Sequence, residues 1–339
     1  MTDVTVLGAG IFGLSVAWAC LKKGAAVRVI DPGGSGAGAS GGVVGALAPH
    51  VPDNWNEKKA FQLDSLLMAE AFWAEVAEAS GLSPGYARNG RFQAIADERQ
   101  LTLAHERAEK AEALWRGEAR WEVIAADAAP LAPLSPTGFL IHDTLSARIH
   151  PRRACAALAA AIAAQGGEVA PDGPLEGAIV HATGVAGLDA LSAATGRKAG
   201  DGVKGQGVLL AFSAPDMPQI FADALHIIPH EDGTTGVGST SEREYDDPAA
   251  TDALLDDVIA RAVRAVPALA GAEVIERWAG VRPRATSRAP LLGTHPLREG
   301  EFVANGGFKI GFGMAPKVGA VMADLVLDGA DEIPAAFRA

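Results

Sequence analysis

The sequence predicts an α/β fold in which a doubly wound domain, discontinuous along the chain, is interrupted by an α+β unit built on a mainly antiparallel sheet. Three observations carry this expectation. Residues 4–31 read as strand, glycine turn, helix and strand. A second glycine-bearing segment followed by an apolar helix closes the chain. Between the two lie amphipathic helices and paired apolar strands that do not continue the first pattern.

The first unit reads VTVLGAGIFGLSVAWACLKKGAAVRVID from Val4 to Asp31. Val4 and Val6 open an apolar strand, and Gly8, Gly10 and Gly13 form a G-x-G-x-x-G turn. Ile11 to Lys23 fits a helix that Gly24 stops, and Val27 to Ile30 is a second strand ending on Asp31. Each part has a task in holding a dinucleotide. The first glycine permits the tight turn, the second bares the backbone for a pyrophosphate, and the third lets helix and strand approach. First-turn N–H groups and the macrodipole attract the anion, and Asp31 accepts hydrogen bonds from a ribose diol. The glycines alone say little; with strand, helix, strand and terminal acid in this order they say much.

At 339 residues the chain suffices for two domains, or for one with a large insertion. Hydrophobic residues make up 49% and charged ones 21%, as in a globular enzyme with a sizeable core. The net charge of −12 repels phosphate backbones and no Lys/Arg block offsets it, which argues against a nucleic-acid partner. Residues 4–21 imitate a signal peptide, but Asp3 stands in place of a positive n-region and glycines interrupt the run. No other apolar window of about 20 residues exists, so a soluble protein without a transmembrane segment is expected. Cys20 and Cys155 form no C-x-x-C, which speaks against disulfide redox chemistry or a Cys-based metal site and for a reducing cytoplasm.

The loop Pro32 to Gly45 contains Gly38-Ala39-Ser40-Gly41-Gly42, the G-x-S-x-G of a hydrolase nucleophile. A nucleophile elbow needs a strand before it and a helix after, and neither flank qualifies. It reads better as a second backbone cradle near the same phosphates, with Ser40 as hydroxyl donor. Together with Gly45-Ala46-Leu47-Ala48-Pro49, these motifs resemble the D-amino-acid oxidase superfamily of flavoproteins, and most of all its glycine oxidase and D-amino-acid dehydrogenase branch. The resemblance implies a Rossmann-like FAD-binding domain over residues 1–52, 142–205 and 279–339, with an inserted substrate domain over 53–141 and 206–278. It carries cofactor contacts onto Gly8, Gly10, Ile11, Phe12 and Gly13 in the turn, and onto Asp31 and Pro32 after the second strand. In the loop it adds Ala39, Ser40, Gly45, Ala46 and Leu47. The family's acid is usually Glu, so Asp31 is a shorter version.

Residues 58–80 fit an amphipathic helix with Phe61, Leu66, Met68, Phe72 and Trp73 among its apolar positions, stopped by Gly81. Tyr86 to Ala96 alternates like a strand, and a charged helix runs from about Glu98 to Trp115. These pieces open the inserted domain. His150-Pro151 returns to helix, ended by Gly166-Gly167. Ala178 to Gly184 is a strand running into a small-residue turn. In the family a comparable strand and its Thr-Gly close the cofactor domain, which adds Val169, Thr183 and Gly184 to the implied contacts. Relatives place a longer hairpin or meander where residues 168–177 stand, so part of the adenine-side wall is expected to be missing. Val203 to Gln206 resembles the family's crossing into the substrate sheet, and an apolar strand continues through Phe212. His226 to His230 and Gly236 to Thr240 read as paired strands. Asp247 and Pro248 cap a helix whose face is Leu255, Val258, Ile259, Ala262, Val263 and Val266.

Trp278-Ala279-Gly280-Val281-Arg282-Pro283-Arg284 resembles the W-A-G-x-R-P segment of glycine oxidases and D-amino-acid dehydrogenases, in which the arginine forks the substrate's α-carboxylate. The carry-over falls on Arg282, with Gly280 beside the cofactor; Arg284 and Arg288 read as surface or rim residues. A guanidinium suits this task because it presents two parallel donors and keeps its charge. A structural ion pair is the competing use of a buried Arg. Asn305 to Pro316 then implies Gly306, Gly307, Phe308, Lys309 and Ile310 against an isoalloxazine ring. A helix with Pro316 in its first position and an apolar stripe of Val318, Val321, Met322, Leu325 and Val326 would aim its N-terminus at the flavin N1–C2=O edge. Two positions depart from the family at this catalytic end. His226 stands where glycine oxidases show Tyr, and Lys309 where they carry Arg. His226 and His230 share a strand face, but no third ligand is in view and no metal is expected.

The implied reaction is FAD-dependent oxidation of the C–N bond of a small amino acid or secondary amine to an imine that hydrolyses. FAD is expected to be noncovalent, since no Cys lies in the C-terminal flavin segment. Two other readings stay open: a flavin domain acting on a modified tRNA base, and an FAD-binding subunit of a heteromeric amino-acid dehydrogenase. A homo-oligomer is compatible with all of them.

Overall fold

The computed structural model describes residues 2–338. Its first unit is β1 (Val4–Leu7), α1 (Ile11–Lys22) and β2 (Val27–Ile30), the order expected from the sequence. β3 (Ala46–Leu47) precedes α2 (Glu57–Ser80), which Asn56 caps by accepting the Lys59 N–H. On α2, Phe61, Leu66 and Trp73 are buried whereas Met68 is exposed. β4 (Arg91–Ala94) is shorter than the alternation from Tyr86 suggests, because Gly90 turns the chain at φ +79° just before it. α3 (Glu98–Leu114), β5 (Trp121–Ala125), β6 (Phe139–Asp143) and β7 (Ala147–Arg148) follow. Then come α4 (Pro151–Ala164), β8 (Glu168–Ala170), β9 (Ala178–His181) and α5 (Gly184–Thr195). Val203 to Phe212, expected as a crossing continued by an apolar strand, lies mostly in β10 (Gly200–Leu210). β11 (Gln219–Ala222), β12 (Leu225–Pro229) and β13 (Thr235–Gly238) form a meander before α6 (Ala253–Ala265). β14 (Val274–Ala285), β15 (Leu291–Thr294), β16 (Glu301–Asn305) and α7 (Gly311–Asp328) complete the chain.

A six-stranded sheet in the order β15-β16-β9-β1-β2-β8 is parallel except at β15. The chain leaves β1 toward β2 and β8, then returns to β9 on the other side of β1. That reversal is a topological switch point, where the carboxyl ends of the strands diverge and leave a crevice. An eight-stranded sheet, β14-β10-β13-β12-β11-β4-β6-β5, is antiparallel apart from the pair β11 and β4. One core joins α1, α2, α4 and α7 to the parallel sheet, and a second lies under α6 against Val208, Ile220, Ile227 and Val237. The expected stripes are buried in both, through Val318, Val321, Met322 and Leu325 on α7 and Leu255, Val258 and Ala262 on α6. Each buried Val, Leu or Met of these stripes contributes about 1.5–3 kcal/mol.

Two helix starts differ from the sequence expectation. Asp247 does not cap α6. Its carboxylate accepts the N–H groups of Ala249 and Ala250, 2.8 and 3.2 Å away, and so closes a local turn. The helix begins later, where Asp252 accepts the Leu254 N–H. Pro316 does not open α7 either. The helix starts at Gly311 with Ile310 as its cap, and Pro316 sits inside, withholding an N–H from the Phe312 carbonyl. A third difference is an addition: the small-residue turn after β9 runs directly into α5, whose buried face is only Leu188 and Leu191.

Candidate active site

A cavity of about 960 Å³ lies at the switch point, against the face of the eight-stranded sheet. It is lined at once by Gly8, Gly10, Asp31 and Ser40 and by His226, Arg282 and Lys309. The two glycine-bearing segments therefore meet around one space. Its size is at the upper end of the roughly 300–1,000 Å³ of small-molecule and cofactor sites.

The N-terminal part fits a dinucleotide. Gly8 has φ +103°, and a Cβ there would lie 2.4 Å from the Ala182 carbonyl oxygen. A Cβ on Gly13 would lie 1.9 Å from the Gly8 carbonyl oxygen, so both positions admit only glycine. Gly10 caps α1 without a side chain, which leaves first-turn N–H groups available to an anion. Ser40 Oγ accepts the Ile11 N–H at 3.0 Å, and its own proton remains free to be donated. Asp31 Oδ2 accepts the Ala9 N–H at 2.8 Å and Oδ1 the Gly33 N–H at 2.9 Å. Each carboxylate oxygen keeps a lone pair for a ribose hydroxyl. Ser40→Ala orphans the Ile11 N–H and removes one donor, so FAD affinity should fall about tenfold, on the order of one net hydrogen bond. Flavin titration of the apoprotein checks this, and an unchanged affinity would exclude Ser40 from the phosphate cradle.

Arg282 projects from β14 beside β10, and its guanidinium occupies the place a side chain would take at Gly205. A Cβ there would be 2.0 Å from Nη2 and 2.2 Å from Cζ. Nη2 donates to Ser239 Oγ at 2.7 Å and Nη1 to the Thr240 carbonyl at 3.4 Å. Among the described residues no acid pairs with it. Glu242, whose charge acts on it, is engaged by Thr240, by Gln206 at 3.1 Å and by Lys204 at 3.8 Å. Burial pulls the Arg282 pKa down to about 10, with Glu242 opposing, so the group is still a cation at neutral pH. The competing structural ion pair is therefore not what this arginine makes.

His226 lines the same space with its ring 4.9 Å from that of Phe221, and its Nδ1 is buried without a partner. Burial first, then the charges of Arg91 and Lys309, push its pKa down to about 3, which leaves a neutral imidazole. Lys309 follows Phe308, a non-glycine residue at φ +44°. Lys309 Nζ lies 5.7 Å from the Phe308 ring centroid and Arg284 Cζ 5.6 Å from it, so two cations share one ring. The Lys309 pKa is lowered by burial and then by Arg282.

Most other expected contacts also line the cavity: Ile11, Phe12, Pro32, Ala39, Gly45, Ala46, Thr183, Gly184, Gly280, Gly306, Gly307 and Phe308. Four do not. Gly13 serves the contact of α1 with Gly8, Leu47 is wholly buried in the core, Val169 pairs with Val29 inside the sheet, and Ile310 caps α7. His230 points elsewhere than His226: its Nε2 sits 3.0 Å from the Val43 carbonyl and its ring 4.7 Å from that of His150. Phe221 and Ser239 line the cavity without a sequence signal of their own. Strand pairing is what places them, since β12 sets His226 opposite both Phe221 and Gly238. Asn305 ties the C-terminal segment to the start of α5, donating to the Gly184 carbonyl at 2.8 Å while its Oδ1 accepts the Gly306 N–H at 2.7 Å.

Comparison with known proteins agrees with this arrangement. The profile of the FAD dependent oxidoreductase (DAO) family matches residues 3–325. A glycine oxidase of Pseudomonas putida is 29% identical over 98% of this chain and 96% of its own. A glycine oxidase of Geobacillus kaustophilus is 26% identical over 96% of this chain and 92% of its own. The crystal structure of glycine oxidase from Geobacillus kaustophilus superposes with a TM-score of 0.85 at 23% identity, covering 99% of this chain and 97% of the other.

Proposed function

Because the chain belongs to the DAO family of FAD-dependent oxidoreductases, we propose that its Arg282 cavity holds the carboxylate of a small amino acid or secondary amine of glycine, sarcosine or D-amino-acid type. The chain is an FAD-dependent enzyme that oxidises a CH–NH or CH–NH2 group. The observation that carries the substrate reading is a partly buried, acid-free guanidinium in the same cavity as the dinucleotide cradle.

FAD, when bound, supplies the two-electron acceptor that takes the Cα hydride. The residues of the chain supply orientation and charge. Arg282 fixes the carboxylate by a forked contact, its own direction set by Ser239, Thr240 and the bare backbone of Gly205. Asp31 is the only acid lining the cavity among the described residues, so nothing near Arg282 favours a substrate ammonium. The charges of Arg282 and Lys309 instead favour the neutral amine, which must be reached before a hydride can leave. With a pKa near 3, His226 is not the base. Its neutral ring accepts an amine N–H and points the nitrogen lone pair, while the proton leaves to water. Phe221 and Trp278 supply apolar lining that limits water around the reacting carbon. The imine then hydrolyses in solution.

We assign residues 1–52, 142–205 and 279–339 to FAD binding and 53–141 with 206–278 to the substrate. The FAD is noncovalent, since no cysteine lines the cavity and Cys20 and Cys155 are buried. Acid precipitation should therefore release the flavin into the supernatant; flavin retained in the pellet would contradict this. Two free thiols suit a reducing cytoplasm, and among the described residues no helix is long and apolar enough to cross a membrane. The decisive experiment is anaerobic titration of the holoprotein with glycine, sarcosine, D-amino acids and proline. Loss of the oxidised flavin band with at least one of them is expected. A protein that takes up no FAD, or whose flavin none of them reduces, would defeat the reading.

A further inference from the structure

We propose that Gln206 is a positioning residue for the C–N oxidation: set behind β10 and out of reach of any substrate, it pins both ends of residues 239–252 and through them aims Arg282. This rests on the reading of Arg282 as the carboxylate anchor and adds the part of the chain that directs it.

Residues directly opposite each other in an antiparallel pair share a face of the sheet. β14 sets Arg282 opposite Val203 and Gly280 opposite Gly205, so the odd positions of β10 face the cavity with the guanidinium. Gln206 points to the other face, together with Lys204 and with Val208, on which α6 packs. It is wholly buried and does not line the cavity. Beyond β13 the chain keeps following β10, but with a residue to spare. Gly207 pairs with Gly238 and Lys204 with Glu242, so three steps along β10 oppose four on the other side. The surplus makes a β-bulge. Both partners of Arg282, Ser239 Oγ and the Thr240 carbonyl, belong to that bulge.

A bulge interrupts the ladder, and its shape is fixed by whatever else binds it. Here Gln206 binds it with backbone and side chain together. Its N–H donates to Thr240 Oγ1 at 2.8 Å, and its carbonyl accepts the Thr240 N–H at 3.3 Å. Its Nε2 donates to Glu242 Oε1 at 3.1 Å, the carboxylate to which the Thr240 hydroxyl also donates. The same Nε2 donates to Asp252 Oδ1 at 2.9 Å, and Oε1 accepts the Asp252 N–H at 2.9 Å. One side chain therefore grips both ends of the segment. Between them the chain makes the turn closed by Asp247, where Pro248 and Ala249 line the cavity. An amide suits the position because it donates to two carboxylates while accepting a backbone N–H, which neither an ionised carboxylate nor an alkyl group can do.

The test follows kcat/KM of the FAD-loaded protein for an amino acid that reduces the parent's flavin. Gln206→Leu and Gln206→Glu should each lower it about tenfold or more with the flavin retained, since a misplacement of about 1 Å can cost on the order of 10²-fold. Introduced beside Arg282→Ala, neither should add more than about a twofold loss, because an absent group cannot be misaimed. Val258→Ala, which removes buried volume from α6 outside this network, should lower Tm without the tenfold loss in kcat/KM. Thr240→Val keeps the carbonyl that Arg282 meets but cuts the same chain of contacts, and should also lower kcat/KM about tenfold; it decides the question if the Gln206 variants fold poorly. Gln206 variants that lose only Tm, as Val258→Ala does, would overturn the proposal, and so would losses that multiply with that of Arg282→Ala. Damage from Arg282→Ala alone, with Gln206→Leu and Thr240→Val both turning over normally, would leave the anchor reading standing and remove this one. Intact kinetics in Arg282→Ala, or a bound flavin that no amino acid reduces, would remove both.

Discussion

With alanine at position 282, the protein keeps its flavin and its fold but loses most of its hold on amino-acid substrates. Arg282 donates to Ser239 Oγ and the Thr240 carbonyl and pairs with no acid, so its removal leaves no uncompensated negative charge behind. Glu242 retains Lys204, Gln206 and Thr240. The usual large penalty for breaking a buried ion pair therefore does not apply. What disappears is a charge-assisted contact worth about 1.5–3 kcal/mol, which corresponds to kcat/KM lower by about 10- to 100-fold for carboxylate substrates. Arg282→Lys should recover only part of this, because an ammonium gives charge without the fork. Flavin absorbance, thermal unfolding and kcat/KM for each turned-over amino acid make the check. If kinetics were unchanged for every substrate while the flavin stayed bound, Arg282 would have to be reassigned as a structural residue.

What the sequence discloses of this site follows from which constraints are local. The turn at Gly8, Gly10 and Gly13 is legible because its demands are made by backbone next to it in the chain: a Cβ at Gly13 collides with the carbonyl of Gly8 itself. The stripes of α6 and α7 are legible because 3.6-residue periodicity is a local property. Asp247 misleads for the same reason. Acid followed by proline satisfies every local rule for a helix start, yet its carboxylate closes a turn instead, and α6 waits for Asp252, which also accepts from Gln206 Nε2 at 2.9 Å. That contact lies 46 positions away in sequence. Phe221 and Ser239 escape notice because only the register of β11, β12 and β13 brings them to the cavity. The short strands β5, β6 and β16 carry too few residues for alternation to stand out, and their neighbours in the sheets decide them.

Gly205→Ala should be nearly as damaging to turnover as the loss of Arg282, though position 205 need never touch a substrate. The added Cβ would stand 2.0 Å from Arg282 Nη2, 2.1 Å from Nη1 and 2.2 Å from Cζ, closer than any real contact. The atoms it meets form the end of a flexible side chain, so β10 and β14 can keep their pairing of Gly205 with Gly280 while the guanidinium swings away. Folding then loses little, and alanine is no worse than glycine in a strand. The cost falls on aim. Displacing an orienting group by about 1 Å can cost on the order of 10²-fold in rate, so kcat/KM should drop by about 10- to 100-fold with FAD affinity retained and Tm within a few degrees of the parent. The double variant Gly205→Ala with Arg282→Ala should be no worse than Arg282→Ala alone, because a displaced group and a deleted one cannot be lost twice. Additive losses in that cycle would mean that Gly205 acts through something other than the arginine lying over it, and a protein that loses its flavin on this single change would show that β10 and β14 cannot hold their spacing without a bare Cα at this crossing.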